Sequence, residues 1–208
     1  MVVIFDWDGT LHDSKEAVIE AWMQTGKILG HPLDRKTVLS AMGPSVRDVS
    51  IALGFPQPQR EESVRVAIEE FNKKVMRMDG LFPNTRHTLD ILASENKLAI
   101  YSNGVSPIVN GLIEKHKLTD YFDIVITSET AVKPNRDGID LIFNALGENT
   151  GFMIDDAAEG IMAAKSAGIP SIGALYGMDP HKLLKAKPHA VIHDVSEVPS
   201  AIKGLRIK

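Results

Sequence analysis

Four consecutive apolar residues, Val2-Val3-Ile4-Phe5, open the chain. Continuous apolar character with β-branched side chains is the pattern of a parallel strand buried on both faces. From residue 14 the period changes. Ala17, Val18, Ala21, Trp22, Ile28 and Leu29 recur at mostly helical spacing, and Gly30 marks the stop. A short second helix is expected from residue 34 or 35 to 42. A third spans 45–53 with Ser45 as its N-cap. A fourth opens at Gln57-Pro58 and runs through Val64, Ala67, Ile68, Phe71, Val75 and Met76. No strand pattern occurs between residues 14 and 80. Residues 15–80 therefore read as an all-helical insertion between two parts of one core, 1–14 and 81–208.

Beyond Pro83 helical and strand periods alternate. Helices are expected at 85–94, 107–117, about 136–146, and from just after Asp156 through Ala167 and Gly168. Strands are expected at 97–101, 124–126, 151–154, 171–174 and 190–192. Such alternation argues an α/β protein, a parallel sheet with helices on both faces.

Composition narrows the function classes. The chain has 208 residues, 44% hydrophobic and 24% charged, with a net charge of −4. That balance carries no footprint for nucleic acid or acidic lipid. Without cysteine there are no disulfides, thiolate metal sites or cysteine nucleophile. No apolar stretch approaches the ~18 residues of a membrane span. Residues 1–11 lack the basic start and cleavage site of a leader, and a site beginning at residue 6 would not survive its removal. A cytoplasmic location is expected, as a monomer or homodimer.

The candidate chemistry lies where strands end. Asp6 and Asp8 follow the first strand, with Trp7 between them pointing elsewhere and Gly9 allowing a turn. In an open α/β sheet, ligands bind beyond the carboxyl ends of the strands. Two carboxylates so close repel each other, which favours a bound divalent cation or a shared proton. Ser102-Asn103 ends the 97–101 strand, Asp155-Asp156 ends the 151–154 strand, and Lys133 follows the 124–126 strand on the same side. Taken singly each has an ordinary reading as a turn, a helix cap or a solvated loop residue. Together they offer carboxylates for a cation, and a hydroxyl, N–H groups and an ammonium for an anion. Magnesium prefers a few carboxylates plus phosphate oxygens, so the set reads as a magnesium and phosphate site.

Asp6-Trp7-Asp8-Gly9-Thr10-Leu11, Ser102-Asn103-Gly104, Lys133-Pro134 and Asp155-Asp156 resemble the four ordered motifs of the haloacid dehalogenase-like (HAD) hydrolase superfamily. The insertion resembles the C1 helical cap of its subfamily I, which implies a Rossmann-like core of residues 1–14 and 81–208 and a cap of residues 15–80. Gly43-Pro44-Ser45 is similar to phosphoglycolate phosphatase and pyrophosphatase members. The resemblance implies Asp6 as the nucleophile forming an aspartyl-phosphate and Asp8 as the acid that then becomes the base. It implies Ser102, Asn103 (through its backbone N–H) and Lys133 as the phosphoryl-binding groups. Mg2+ would be held by Asp6, the Asp8 backbone carbonyl and Asp156. A small phosphorylated metabolite would be the substrate. Dehalogenation needs no leaving-group acid, so Asp8 argues against it.

One motif departs from the family pattern. The fourth commonly reads Gly-Asp, three residues, Asp. Here Asp155 stands at the glycine position and Gly160 at that of the second acid. Compensation is expected from Asp155 or from Glu159. In the cap, Arg47 is the candidate for a substrate carboxylate or second phosphate, because its planar fork suits both. Lys15 and His12 are further candidates, and residues 9–14 and 80–83 are the expected hinges. His189 and His193, four apart with strand residues between them, read as surface residues. Neither a triphosphate-binding nor a dinucleotide-binding glycine loop occurs. A phosphomutase uses the same core, and a non-catalytic phospho-ligand or partner-binding protein of this fold is the reading that Gly160 alone would favour.

Overall fold

The strand at the centre of the sheet is the one that opens the chain. In the computed structural model, which describes residues 1–42 and 45–206, β1 (Val2–Phe5) has every residue buried. Gly43-Pro44 lies outside the described residues. On one side β1 pairs with β2 (Lys97–Tyr101), and β2 with β3 (Ile124–Ile126). On the other it pairs with β4 (Gly151–Asp155), followed by β5 (Ser171–Ala174) and β6 (Ala190–Ile192). All pairs are parallel, in the order β3-β2-β1-β4-β5-β6. The chain works outward from β1 to β3, then crosses back to β4. The strand order therefore reverses at β1 and β4, the switch point at which such sheets open a crevice. Register places Phe5 beside Ile100 of β2 and Ile154 of β4, so Asp6 starts level with Asp155, and Ser102 follows one residue further along β2.

The sheet forms because these strands are apolar on both faces. Val2, Ile4, Ala99, Tyr101 and Met153 pack with Ile139 and Ile142 of α7 (Asp137–Leu146) and with Ala163 and Ala164 of α8 (Ala158–Ala167). Val3, Phe5, Leu98 and Ile100 alternate to the opposite face and are fully buried too. There α5 (Thr85–Ala93) packs with β2, and α6 (Ser106–Lys115) follows that strand. Two helices had no counterpart in the expected elements, α9 (Pro180–Lys185) and α10 (Val198–Arg206). The first is too short to show a period; it is set by Asp179, whose side chain accepts the Lys182 N–H, and by Pro180 in the first turn. The second buries Val198 and Ile202 one turn apart.

Backbone contacts divide the chain into two compact units, residues 1–13 with 81–208, and residues 14–80. The second consists of α1 (Lys15–Ile28), α2 (Arg35–Ala41), α3 (Val46–Ala52) and α4 (Arg60–Val75), with a short 3-10 turn before α4. Its core is Ile19, Trp22, Val38, Val49, Leu53, Phe55 and Ala67. Asp34 and Ser45 cap α2 and α3 through the Thr37 and Asp48 N–H groups. A buried hydroxyl pair, Ser50 and Ser63 at 2.7 Å, ties α3 to α4. Arg47 lies exposed on α3 and Lys15 half-buried at the start of α1. No helix among the described residues is long and apolar enough to cross a membrane.

Candidate active site

Asp6 is the first residue beyond β1. Its N–H still donates to the Ile154 carbonyl at 2.9 Å, which holds its side chain over the carboxyl ends of β1 and β4. There it meets Asp155 and Asp156. One carboxylate oxygen from each of the three lies within 4.8 Å of the others, and all three residues are buried. Lys133, only 4% exposed, donates from Nζ to Asp6 Oδ1 at 2.6 Å and to Asp155 Oδ2 at 2.7 Å. One ammonium against three carboxylates leaves an excess of buried negative charge, and uncompensated buried charge is strongly destabilising.

The titration of these groups reflects that excess. Burial pushes the Asp155 carboxyl up to about 7, against the pull of Lys133. Burial, and then the charges of Asp6 and Asp155, raise Asp156 well above the carboxylate range. Burial works against the Lys133 ammonium, but Asp155 and Asp6 outweigh it and keep the lysine charged well above its ordinary range. A carboxyl raised on folding stabilises the fold while protonated. For Asp155 that contribution is lost as pH rises from about 4 through about 7. An all-oxygen donor set with surplus negative charge fits a hard divalent cation such as Mg2+.

Backbone devices hold each carboxylate. Asp155 Oδ1 accepts the Ala157 N–H at 2.7 Å, a local turn in which Ala157 itself becomes the N-cap residue of α8. A side chain at Gly160 would collide with the Asp155 carboxylate. The residue at 155 thus fills the space that the usual fourth-motif acid at 160 would need. Glu159, half-buried on α8, is outside the three-carboxylate cluster. Gly9, at φ +86°, has the left-handed backbone of a tight turn and lies against Asp156 so closely that a Cβ would collide with its carboxylate. Thr10 Oγ1 stands between Asp6 Oδ2 (3.5 Å) and Asp156 Oδ1 (3.4 Å).

Asp8 is turned away from the carboxylate cluster. Its Oδ2 lies toward Gly104, where a Cβ would stand 3.4 Å from it. Ser102, 1% exposed, accepts the Gly104 N–H at 3.0 Å. Asn103 has a second attachment, because its side-chain amide clamps the lysine-bearing loop. Its Oδ1 accepts the Lys133 N–H at 2.8 Å and its Nδ2 donates to the Lys133 carbonyl at 3.2 Å. Tyr101 supports the same loop. Its hydroxyl donates to the Asn135 carbonyl at 2.9 Å, and its ring centre is 5.8 Å from Lys133 Nζ. Gly138 lets α7 close on that ring, and a Cβ there would collide with it.

His12 is fully buried in the first loop, stacked on the buried Trp7 at 5.8 Å, and paired through the backbone with Leu81. His189 and His193 are both exposed, and His189 Nδ1 accepts the Ser171 N–H at 3.1 Å. Charge and spacing had not singled out Tyr101, Thr10 or the turn after β5. Each meets the site through uncharged groups, and only the D-x-D-G-T string carried a signal for Thr10.

A parallel α/β sheet whose switch point carries three buried carboxylates and a buried lysine is the arrangement of a particular enzyme family. Residues 3–174 match the haloacid dehalogenase-like hydrolase family, and the chain belongs to it. Within it the chain is similar to the phosphoglycolate phosphatases. It is 29% identical to the probable phosphatase IndB of Dickeya dadantii, over 98% of this chain and 94% of that one. It is 27% identical to the phosphoglycolate phosphatase of Vibrio cholerae, over 93% of each. Among solved structures, a haloacid dehalogenase-like hydrolase of Streptococcus pneumoniae superposes with a TM-score of 0.86 at 25% identity, covering 97% of both chains.

Proposed function

We propose that this chain is a cytoplasmic, Mg2+-dependent phosphatase of a small phosphomonoester, phosphoglycolate or a sugar phosphate, working through an aspartyl-phosphate. The observation that carries this reading is Asp6 itself, a buried carboxylate at the end of the central strand, held by the Lys133 ammonium at 2.6 Å. That contact engages one oxygen of Asp6. Asp6 attacks phosphorus as the bond to the ester oxygen breaks, and Asp8 gives its proton to the departing oxygen. Asp8, now a carboxylate, takes a proton from water as the water attacks the same phosphorus, releasing inorganic phosphate and Asp6. An ammonium has three N–H donors, and Asp6 and Asp155 accept from Lys133. Its third donor, with Ser102 and the Asn103 N–H, would bind the phosphoryl oxygens.

Asp6, the Asp8 carbonyl and Asp156 would hold Mg2+, which when bound offsets the repulsion between an anionic nucleophile and an anionic phosphate. Residues 15–80 are read as the cap that selects the leaving group, with Arg47 as a candidate contact. The phosphoglycolate phosphatases among the relatives support that ester as the first to try.

The test is phosphate release from an aryl phosphate, then from phosphoglycolate, pyrophosphate and sugar phosphates, with Mg2+ and with a chelator. Stoichiometric phosphate that disappears in the chelator is the expected result. An isomerised sugar phosphate without free phosphate would replace this reading with that of a mutase.

The exchange of acid and glycine in the fourth motif makes a second prediction. Gly160→Asp, which collides with Asp155, weakens Mg2+ binding by about tenfold to a hundredfold, the usual cost of disturbing groups behind metal ligands. Asp155→Gly combined with Gly160→Asp recovers most of that loss. Calorimetric titration with MgCl2 measures both, and a single variant as tight as the parent contradicts the exchange.

A further inference from the structure

The turn after β5 lies with its backbone against one of the carboxylates. Met178 N–H donates to Asp156 Oδ2 at 2.6 Å. Gly177 approaches so closely that a Cβ would collide with the Cβ and carboxylate of Asp156. Gly177 is not among the glycines with positive φ, so its backbone does not require glycine; the contact with Asp156 does. One residue earlier, the Tyr176 hydroxyl donates to the Thr10 carbonyl at 2.9 Å, and its ring packs edge-on against Phe82 at 4.7 Å. The turn is fixed at both ends. Leu175 N–H donates to the Ile192 carbonyl at 2.9 Å, and Asp179 caps α9.

Asp156 is therefore held from two directions. Gly9 and Thr10 of the first loop stand on one side, and Gly177 and Met178 on the other. Oδ2 is engaged by an N–H, and both walls are glycine where they meet the carboxylate. Tyr176 links the two walls by tying its turn to the Thr10 backbone.

We infer that the 175–179 turn is a positioning element that sets the orientation of Asp156 through Gly177 and the Met178 N–H, and so sets the cation affinity of the site. The inference rests on the reading of Asp156 as a cation ligand. An outer partner that orients a ligand typically contributes tenfold to a hundredfold in metal affinity.

The experiment is calorimetric titration of the chelator-treated full-length protein with MgCl2, alongside melting curves in chelator. Four proteins are compared: the parent, Gly177→Ala, Tyr176→Phe and Asp156→Asn. Gly177→Ala is expected to raise the Mg2+ dissociation constant by about tenfold or more. Tyr176→Phe, which adds no volume and removes only the tie to Thr10, raises it by less while melting close to the parent. Parent-like affinity in a folded Gly177→Ala, with Asp156→Asn impaired, overturns the inference. If Gly177→Ala does not fold, Tyr176→Phe decides: weakened binding supports the inference and parent-like binding overturns it. Parent-like binding by Asp156→Asn brings down the ligand reading itself, and this inference with it.

Discussion

Asp6→Asn lowers turnover of an aryl phosphate by at least about ten-thousandfold, the scale on which loss of a covalent nucleophile is felt. An amide is uncharged and has no lone pair of comparable nucleophilicity, so attack on phosphorus stops even though size and shape are kept. The fold does not suffer. Asp6 is one of three buried carboxylates beside the Lys133 ammonium, and neutralising it reduces the excess negative charge. In chelator the variant should melt at or above the parent's temperature. This combination, chemistry lost and stability kept or raised, separates a nucleophile from a structural acid. Phosphate release and melting curves on the same preparation measure it, and turnover within tenfold of the parent would remove Asp6 from the mechanism.

Lys133→Met works in the opposite direction on stability. The methionine keeps an unbranched stem for the space beside Tyr101 but removes the ammonium that binds both Asp6 and Asp155. Three carboxylates then face one another with no cation, and breaking a buried ion pair on one side costs about 3–5 kcal/mol. In chelator near pH 8 the melting temperature should fall accordingly. Adding Mg2+ should recover part of the loss, because a cation supplies some of the missing charge. Turnover should drop about a hundredfold to a thousandfold, the effect of deleting one preorganised donor to a developing negative charge. A Lys133→Met protein as stable as its parent in chelator would mean that the carboxylates are neutral without the lysine. The electrostatic role assigned to it would then fall.

Much of the architecture was legible because it depends on period. The wholly apolar Val2–Phe5 stretch and its counterparts become six parallel strands, since a strand buried on both faces has no polar positions to alternate. Helix α9 was not legible, because six residues held by a cap and a proline show no period. In the site, the charged residues could be named from the chain because strand ends are where an α/β sheet presents polar groups. How they share the work could not. Asp155 and Glu159 are equally plausible helpers along the chain, but Asp155 ends β4 inside the carboxylate cluster while Glu159, on α8, lies outside it.

The sequence by itself determined the fold class and the chemical inventory: carboxylates after the first and fourth strands, a serine and asparagine after the second, a lysine after the third. Tertiary structure decided the pairings. Strand order puts β1 beside β4, so Asp6 meets Asp155 and Asp156 across about 150 residues of chain. Packing decided why residue 160 is glycine, why Asn103 clamps Lys133, and why Gly177 lies against Asp156. The physical reason is common to all three. Periodicity and charge are properties of a chain, whereas close approach and the direction of an N–H exist only once separate segments are packed together.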